Sequence, residues 1–299
     1  HGIADDMLTT TVLACTCPKI IVPAMNTRMY ENAVTQDNLR KLKEYGMEIV
    51  EPAEGRLACG DVGKGKMPEP DILYQYVLKA CAYKKDMEGP KVLVTAGPTQ
   101  ESLDPVRYLT NHSSGKMGYS IARICALRGA DVTLVSGRTS IEPPMFVSIV
   151  PVVSAQDMYE AVTQRSSQTD IIIKAAAVAD YRPASVSNEK IKKSDSDTSL
   201  SLERTEDILK FLGSHKREGQ FICGFSMETE NMLENSKAKL KTKHADMTVA
   251  NHLMVDGAGF GTATNIVTLV TKAEEQALPL QSKEEVAANL LDAIMKARA

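Results

Sequence analysis

Short apolar runs alternate along the chain with longer amphipathic stretches, which predicts strands followed by helices. After residue 90 the strands are expected at 91–95, 131–135, 148–153, 170–175, 220–225 and 246–250. Ser154 is a suitable N-cap for a helix over 155–166. Between 260 and 280 the pattern changes to that of a hairpin, and Ser282 with Glu285 forms a capping box for a last helix. This alternation predicts an α/β fold with a Rossmann-like, doubly wound, mostly parallel sheet.

The front of the chain shows the same alternation with fewer strands. Thr35 and Gly46 mark the expected start and end of one of its helices. The expected elements are helices at 3–15, 35–45 and 70–83 and strands at 20–22 and 47–50. Two strands and three helices bury little apolar surface, so we expect this region to be part of a larger domain or to rely on oligomer contacts.

A polar break ending in Gly89-Pro90 separates the two regions. We therefore expect a partial α/β domain over 1–86 and a second domain over 90–299. The chain has no initiator Met, and its first residues already have the pattern of a helix interior. We expect that a segment upstream is missing from this sequence.

Composition excludes several classes of protein. The net charge is −3, tryptophan is absent and aromatic residues make up 5%, so nucleic-acid partners are not expected. No apolar run is long enough to span a bilayer, so a membrane partner is not expected either. The six cysteines are scattered, and Cys15-x-Cys17 lacks a second pair, which favours free thiols in a reducing, cytoplasmic setting. Metal ligands cannot be assigned from these spacings.

The turn between the strand at 91–95 and the next helix is the strongest candidate site. It starts at Gly97, runs through a polar loop with Arg107 and Asn111, and ends at Gly115, where a helix begins. Small residues at a helix start expose N–H groups, and the helix dipole adds positive potential, so phosphate binding is expected near Ser113, Ser114 and Gly115. Glycine turns also serve tight packing alone, but this loop is unusually long.

A second candidate follows the strand at 170–175. The polar segment 182–200 contains Lys190-Ile191-Lys192-Lys193. Such a charge run is often only a solvated loop. Because ligands bind at the carboxyl ends of parallel strands, however, we interpret it as a flap whose lysines meet a polyphosphate.

The motifs together resemble those of the phosphopantothenate–cysteine ligase domain over residues 90 to about 298. The matching segments are Thr95–Thr99, Asp104–Tyr108, Asn111–Gly118, Ala175–Tyr181, Lys190–Lys193, Gly224-Phe225 and Val249–Asn251. The resemblance implies that 4′-phosphopantothenate and L-cysteine are joined with CTP and Mg²⁺ through an acyl-cytidylate, releasing pyrophosphate and then CMP. It also implies a homodimer formed through this domain.

The resemblance assigns roles to individual residues. It places Arg107, Asn111 and Ala176 near the phosphopantothenate, and Lys190 on the CTP phosphates. It places Asp180 and Phe225 at the nucleotide, and the further binding residues are Gly97, Ser113, Ser114, Gly115 and Lys193. Two alternatives stay open, because Asn111 could only cap a turn and Arg107 could only pair with Asp104.

Residues 1–85 resemble the C-terminal half of phosphopantothenoylcysteine decarboxylase, an FMN-dependent flavoprotein. The matches are Pro23–Tyr30 and Leu57–Asp61. In that family Asn26 would hold the substrate carboxylate, and Cys59 would act as the proton donor, which suits a thiol near neutral pH. The upstream half of the flavin site has no counterpart here, so we expect this chain not to decarboxylate by itself and a higher oligomer only in a longer protein.

Two other functions are compatible with the pattern. A nicotinamide-dependent oxidoreductase shares the fold, but Ser136-Gly137-Arg138 stands where an acidic ribose ligand is expected. The second alternative function is that of a non-catalytic oligomerisation module. Two departures from the ligase pattern, at Ser226-Met227 and at His252, fall at predicted strand ends.

Overall fold

The computed structural model describes residues 2–193, 199–227, 232–251, 259 and 261–298. The chain divides into two compact units, His1–Lys84 and Lys85–Ala299. Within the described part of the chain, no helix is both long enough and apolar enough to cross a membrane.

Unit 1 is built from short elements. Its described helices are α1 (Met7–Ala14), α2 (Thr27–Tyr30), α3 (Ala33–Glu44) and α4 (Pro70–Cys81). The parallel pair is β1 (Ile20–Ile21) with β2 (Glu48–Ile49), and the antiparallel pair is β3 (Ala53–Arg56) with β4 (Val62–Lys66). Helices α1, α3 and α4 bury none of their residues. The side chains of these helices are therefore exposed or only partly buried.

Several details of unit 1 differ from the sequence expectation. Helix α1 starts at Met7 and not within the first residues, because the Asp6 side chain accepts a hydrogen bond from the Thr9 N–H at 2.7 Å and caps it there. Helix α3 starts two residues before Thr35, because the Asn32 side chain accepts a hydrogen bond from the Val34 N–H at 2.9 Å and caps it there. The β3–β4 hairpin was not predicted at all. Its strands alternate glycine with charged residues, so they show no apolar period.

Unit 2 contains an eight-stranded sheet. Its strands are β5 (Lys91–Ala96), β8 (Asp131–Ser136), β9 (Ser148–Pro151), β10 (Ile171–Lys174), β13 (Phe221–Met227), β14 (Met247–Asn251), β15 (Thr264–Thr271) and β16 (Glu275–Ser282). Their order is β16-β15-β14-β13-β10-β5-β8-β9, and only the β14–β15 and β15–β16 pairs are antiparallel. This confirms the doubly wound, mostly parallel sheet, and each of the six predicted strands is present with ends within two residues.

Five described helices flank this sheet. They are α5 (Lys116–Leu127), α6 (Ala155–Ser166), α7 (Ile208–Ser214), α8 (Met232–Thr242) and α9 (Lys283–Arg298). Helices α5 and α9 pack on each other, and α6 packs on α7. Because helices cover the strands, the central runs Val92–Val94 and Ile171–Ile173 are buried throughout. The predicted caps of α6 at Ser154 and of α9 at Ser282 are both present.

Two small hairpins lie outside the large sheet. Strands β6 (Gln100–Ser102) and β7 (Tyr108–Thr110) form one within the loop that follows β5. Strands β11 (Tyr181–Pro183) and β12 (Leu202–Arg204) form the other, and β11 contacts β6. The loop between β5 and α5, expected to be irregular, is therefore partly a hairpin.

The order of the strands places a crevice at the centre of the sheet. The chain passes from β5 to β8 in one direction and from β10 to β13 and β14 in the other. Neighbouring connections therefore diverge where β5 and β10 end, which is where doubly wound sheets bind ligands. Pro98 and Ala177 form an isolated bridge just beyond these two strand ends.

A buried arginine ties the start of unit 2 to its helices. The Arg128 side chain, 5% exposed at the end of α5, contacts Asp86 at 2.6 Å and Asp292 of α9 at 2.7 Å. The Lys85 ammonium donates to the Leu127 carbonyl at 2.5 Å. The segment before β5 is thus anchored to α5 and α9.

Candidate functional site

Glycines allow the β5 turn and the start of α5 to pack closely. Gly97 and Gly115 have φ of 78° and 80°, and a Cβ on Gly115 would lie 3.2 Å from the Gly97 Cα. Gly115 is the N-cap of α5 and provides no side-chain cap. The first N–H groups of α5 are therefore available to a ligand, and the helix dipole favours an anion there.

Two buried threonines fix the loop that follows β10. The Ala176 N–H donates to Thr95 Oγ1 at 3.1 Å, and the Ala179 N–H donates to Thr99 Oγ1 at 3.0 Å. From the other side, the Thr205 hydroxyl donates to the Ala179 carbonyl at 2.6 Å. The loop 175–180 is therefore a rigid wall rather than a mobile connection.

Asn111 joins this wall to the turn before α5. Its Nδ2 donates to the Ala177 carbonyl at 2.6 Å, and its Oδ1 accepts from the Ser113 N–H at 3.1 Å. The turn-capping alternative for Asn111 is therefore present in the structure. The same residue also lines a cavity, so the two descriptions are compatible.

Two cavities follow this rim and share one wall. The first has a volume of about 420 Å³ and lies at the start of α5; the second has about 570 Å³ and lies at the start of α7. Both are lined by Lys174, Val178, Ala179, Asp180, Phe225 and Lys239. Of the residues expected at the site, the first cavity gathers Asn111, Ser113, Ser114, Gly115, Ala176, Asp180 and Phe225, together with Ser226 and Met227. Gly97 lies behind this lining and supports it.

Lysines that sequence reasoning missed give the cavities their charge. Lys174 and Lys239 border both cavities, and Lys243 borders the second. Burial lowers the pKa of Lys174, while Asp207 and Asp180 act in the opposite direction. Lys243 contacts Asp207 at 2.5 Å. Lysine is ordinarily a surface residue, but Lys174 directly follows three buried isoleucines. This position at the end of a buried strand could have identified Lys174 as a candidate site residue from the sequence.

Arg107 occupies the pairing geometry that was the alternative to a ligand role. Its Nε and Nη2 donate to Asp104 Oδ2 at 3.0 and 2.6 Å, and Nη2 also donates to the Ile191 carbonyl at 2.8 Å. The bonds from Arg107 hold the pKa of Asp104 well below its usual range. Lys190 and Lys193 are exposed, and Arg107, Lys190 and Lys193 line neither cavity. The structure thus joins Arg107 to the lysine segment, and neither lines the cavity that Asn111 lines.

A second cluster lies in unit 1, where Asn26, Cys59 and Asp61 meet. Asn26 Nδ2 donates to Cys59 Sγ and to Asp61 Oδ2, both at 3.2 Å, and Cys59 Sγ lies 3.6 Å from Asp61 Oδ2. A Cβ on Gly65 would lie 2.1 Å from the Met25 carbonyl oxygen, so glycine lets β4 approach the Asn26 loop. Asp61 was not among the expected site residues.

Comparisons with known proteins identify the family of both units. Residues 87–297 match the family described as DNA/pantothenate metabolism flavoprotein C-terminal domain, and residues 1–82 match the Flavoprotein family. The coenzyme A biosynthesis bifunctional protein CoaBC of Bacillus subtilis (strain 168) is 46% identical over 98% of this chain and 73% of its own length. This chain belongs to the CoaBC family.

Other members and solved structures fit the same assignment. CoaBC of Escherichia coli (strain K12) is 40% identical over 98% of this chain and 73% of its own length. The crystal structure of a CoaBC C-terminal domain, 46% identical, covers 70% of this chain and 96% of that chain with a TM-score of 0.60. A Cab2 mutant in complex with phosphopantothenate-cysteine is 17% identical at a TM-score of 0.59, which shows a shared fold.

Only one of the two departures from the ligase pattern lies among the described residues. Ser226 and Met227 line the first cavity, so their departure from the ligase pattern falls within the candidate site. His252 lies outside the described residues. Across the described part of the chain, no group of three or more His, Cys, Asp or Glu side chains could hold a metal ion by itself.

Proposed function

We propose that unit 2 ligates 4′-phosphopantothenate to L-cysteine with CTP as the activating nucleotide. The observation that supports it best is the pair of adjoining cavities that share a lysine-bearing wall at the start of α5. Such a pair suits two anionic substrates that must react with each other. CoaBC relatives, named for coenzyme A biosynthesis, cover nearly the whole chain.

The two cavities suggest a division of the substrates. The larger one, with Lys239 and Lys243, suits the nucleotide and its phosphates, with Phe225 packing on the base. The smaller one, with Asn111 and the start of α5, suits phosphopantothenate. The shared wall at Lys174 then lies where carboxylate and α-phosphate meet.

The chemistry follows from this placement. The pantothenate carboxylate attacks the α-phosphorus of CTP, the bond to the β-phosphate breaks, and pyrophosphate leaves. The cysteine amine then attacks the acyl carbon, loses a proton, and CMP leaves. Lysine ammonium groups and the α5 N–H groups offset the negative charge that accumulates when the two anions approach.

Asp180 fits the role of a magnesium ligand. It lines both cavities, and Mg²⁺ at nucleotide sites is commonly held by one or two carboxylates together with phosphate oxygens. When bound there, the ion would neutralise phosphate charge. Asp207 is less suited, because it already contacts Lys243 and caps α7.

Lys190, Lys193 and Arg107 require a rearrangement or a second copy to reach a ligand. We propose a homodimer formed through the two small hairpins. Exposed apolar side chains concentrate there, among them Val106, Tyr108, Tyr181, Ile191 and Leu202. Leu202→Glu is expected to yield a monomer by light scattering, and an unchanged mass would contradict the assignment.

Turnover with varied nucleotides tests the ligase assignment. Pyrophosphate release should require phosphopantothenate and should be faster with CTP than with ATP. Asn111→Ala and Lys190→Ala should each lower kcat/KM at least about tenfold, while Lys296→Ala, which removes an exposed ion pair on α9, should not. NADPH binding without CTP binding would favour an oxidoreductase, and absent turnover would favour an oligomerisation module.

For unit 1 we propose a substrate-facing role in phosphopantothenoylcysteine decarboxylation. In this proposal Asn26 holds the substrate carboxylate and Cys59 supplies a proton, and the hydrogen bond between their side chains supports it. FMN, when bound, would supply the oxidation. Cys59 and Asp61 are exposed in this chain, so we expect no decarboxylation by the chain alone. A flavin absorbance band together with CO₂ release would contradict this expectation.

A further inference from the structure

One end of the first cavity has no role in the chemistry proposed above. It is formed where β14 ends, β15 begins and α9 begins, and its lining there includes Asn251, Asn265 and Lys283. All three side chains are at least nine-tenths buried, with exposures of 8%, 1% and 5%. Buried polar groups at a cavity wall are unusual unless something satisfies them.

Asn251 has an acceptor that is not used. Its Oδ1 is buried and has no hydrogen-bond partner among the described residues. The carboxamide of Asn265, by contrast, accepts from the Ile266 N–H at 3.1 Å. An unused carbonyl oxygen beside a cavity calls for a donor, and an amino group is the donor that the ligase reaction must bring in.

Lys283 places a positive charge at the same end. Its Nζ donates to the carbonyls of Gly259 and Thr262 at 3.0 and 2.8 Å, and Lys116 donates to the Gly261 carbonyl at 2.7 Å. Burial and the nearby charge of Lys116 lower the pKa of Lys283 to about 8. Since the two ammonium groups repel each other, an anion bound beside them would be stabilised.

We propose that Asn251 and Lys283 form an α-amino-acid subsite that binds the L-cysteine zwitterion. The Asn251 oxygen accepts an N–H of the α-amino group, and the Lys283 ammonium faces the α-carboxylate. This inference rests on the proposed ligase function.

A hydrogen-bond acceptor, the Asn251 oxygen, next to a cation, the Lys283 ammonium, favours an amino-acid zwitterion over a simple anion. A phosphate would be attracted by Lys283 but repelled by the Asn251 oxygen. A zwitterion satisfies both. The subsite lies in the same cavity as Asn111 and the start of α5, so a bound amine would lie in the chamber proposed for the acyl group it attacks.

Two acceptor amines separate the roles of the two residues. Cysteamine keeps the amine and thiol of cysteine but lacks the carboxylate. In the full chain, wild type should use L-cysteine with at least about tenfold higher kcat/KM than cysteamine, because a charge-assisted contact is lost. Lys283→Gln should reduce this ratio about tenfold. Asn251→Leu should lower kcat/KM for both amines by similar factors.

A matched control checks that charge alone is not responsible. Lys296→Gln removes a lysine from the outer face of the same helix and should leave the cysteine-to-cysteamine ratio unchanged. In Lys283→Gln, the KM for L-cysteine should rise while the KM for CTP changes less than about threefold. An unchanged ratio in Lys283→Gln, or an equal rise of both KM values, would overturn the subsite while leaving the ligase function standing.

Equilibrium binding provides an independent reading of the same subsite. L-cysteine binding is measured by calorimetry on wild type and both variants, with thermal unfolding as the check on folding. Binding that is at least about tenfold weaker in both variants supports the subsite. This holds even if wild type releases no pyrophosphate, because absent pyrophosphate release counts only against the proposed function. Equal binding by wild type and the folded variants, or no binding by wild type, would refute the subsite.

Discussion

Helix α5 and strand β5 meet at Gly118, and replacing this glycine by alanine tests how the start of α5 is positioned at the first cavity. A Cβ on Gly118 would lie 2.6 Å from the Ala96 Cβ and 2.9 Å from the Thr95 carbonyl oxygen. Ordinary contact begins at 3.4 Å, so the first turn of α5 must retreat by about 0.8 Å. The substitution therefore moves the rim of the first cavity without removing any of its polar groups.

Two effects oppose each other in Gly118→Ala, and their sizes decide the outcome. Alanine favours a helix over glycine by about 1 kcal/mol. Overpacking at a tight interface costs about 1–3 kcal/mol. We therefore expect a net loss of up to about 2 kcal/mol, which for unit 2 lowers Tm by up to roughly 8 °C.

Thermal unfolding and phosphopantothenate kinetics measure the two consequences. The displaced helix start should raise the KM for phosphopantothenate by about tenfold or more, because sub-ångström misplacement of a binding group is costly. Ser120→Ala on the same helix reports propensity alone and should raise stability by a few tenths of a kcal/mol. A Gly118→Ala protein that is more stable than wild type, with an unchanged KM, would refute the reasoning.

Three further outcomes follow from described contacts. Arg128→Met leaves two half-exposed carboxylates without their partner and should lower stability by about 2 kcal/mol, measured as Tm. Because the pKa of Lys283 is lowered to about 8, its charged form is disfavoured in the folded state, so wild type should gain stability relative to Lys283→Met as pH rises from 8 to 10. Asn26→Ala removes the N–H bonded to Cys59 Sγ and should slow alkylation of Cys59 about threefold, measured by mass spectrometry against Cys81 in the same chain.

Each of these outcomes can be contradicted by one result. A Tm for Arg128→Met within 1 °C of wild type would show that the buried guanidinium adds no net stability, by the scale of roughly 2–4 °C per kcal/mol for a domain of this size. A Tm difference between wild type and Lys283→Met that is constant with pH would show that Lys283 keeps its ordinary pKa in the fold. An unchanged Cys59 to Cys81 alkylation ratio would show that the Asn26 contact does not affect the reactivity of Cys59.

The sheet could be predicted from the sequence because its strands are short buried runs with clear ends. Ile171–Ile173 and Val92–Val94 have apolar side chains on both faces, which is the pattern of a parallel strand under helices. The β15–β16 hairpin was predicted as well, but the small hairpins outside the large sheet were not. In β3–β4 glycines alternate with charged side chains, so the sequence lacks the alternation of apolar and polar residues that predicts a strand.

The candidate site was only partly accessible to sequence reasoning. Gly115 and Asn111 stand in a turn whose residue types constrain the backbone, so their location follows from the sequence. The position of Lys283 does not follow from the sequence, because only the fold shows that this lysine is buried at a cavity wall. The sequence raised the pairing of Arg107 with Asp104 as an alternative, but it did not reveal the β6–β7 hairpin within which the two residues lie.

The shared wall of the two cavities has a consequence for inhibitor chemistry. A single molecule that fills both chambers, with a hydrolysis-resistant bridge at Lys174 where the proposed mixed anhydride would form, would lose its translational freedom once rather than twice. Joining the two halves converts the second binding event into an intramolecular one. Tethered compounds of this kind should therefore bind more tightly than either half alone, provided that the tether is long enough to span the wall, with Asp180 and Phe225, that the two cavities share.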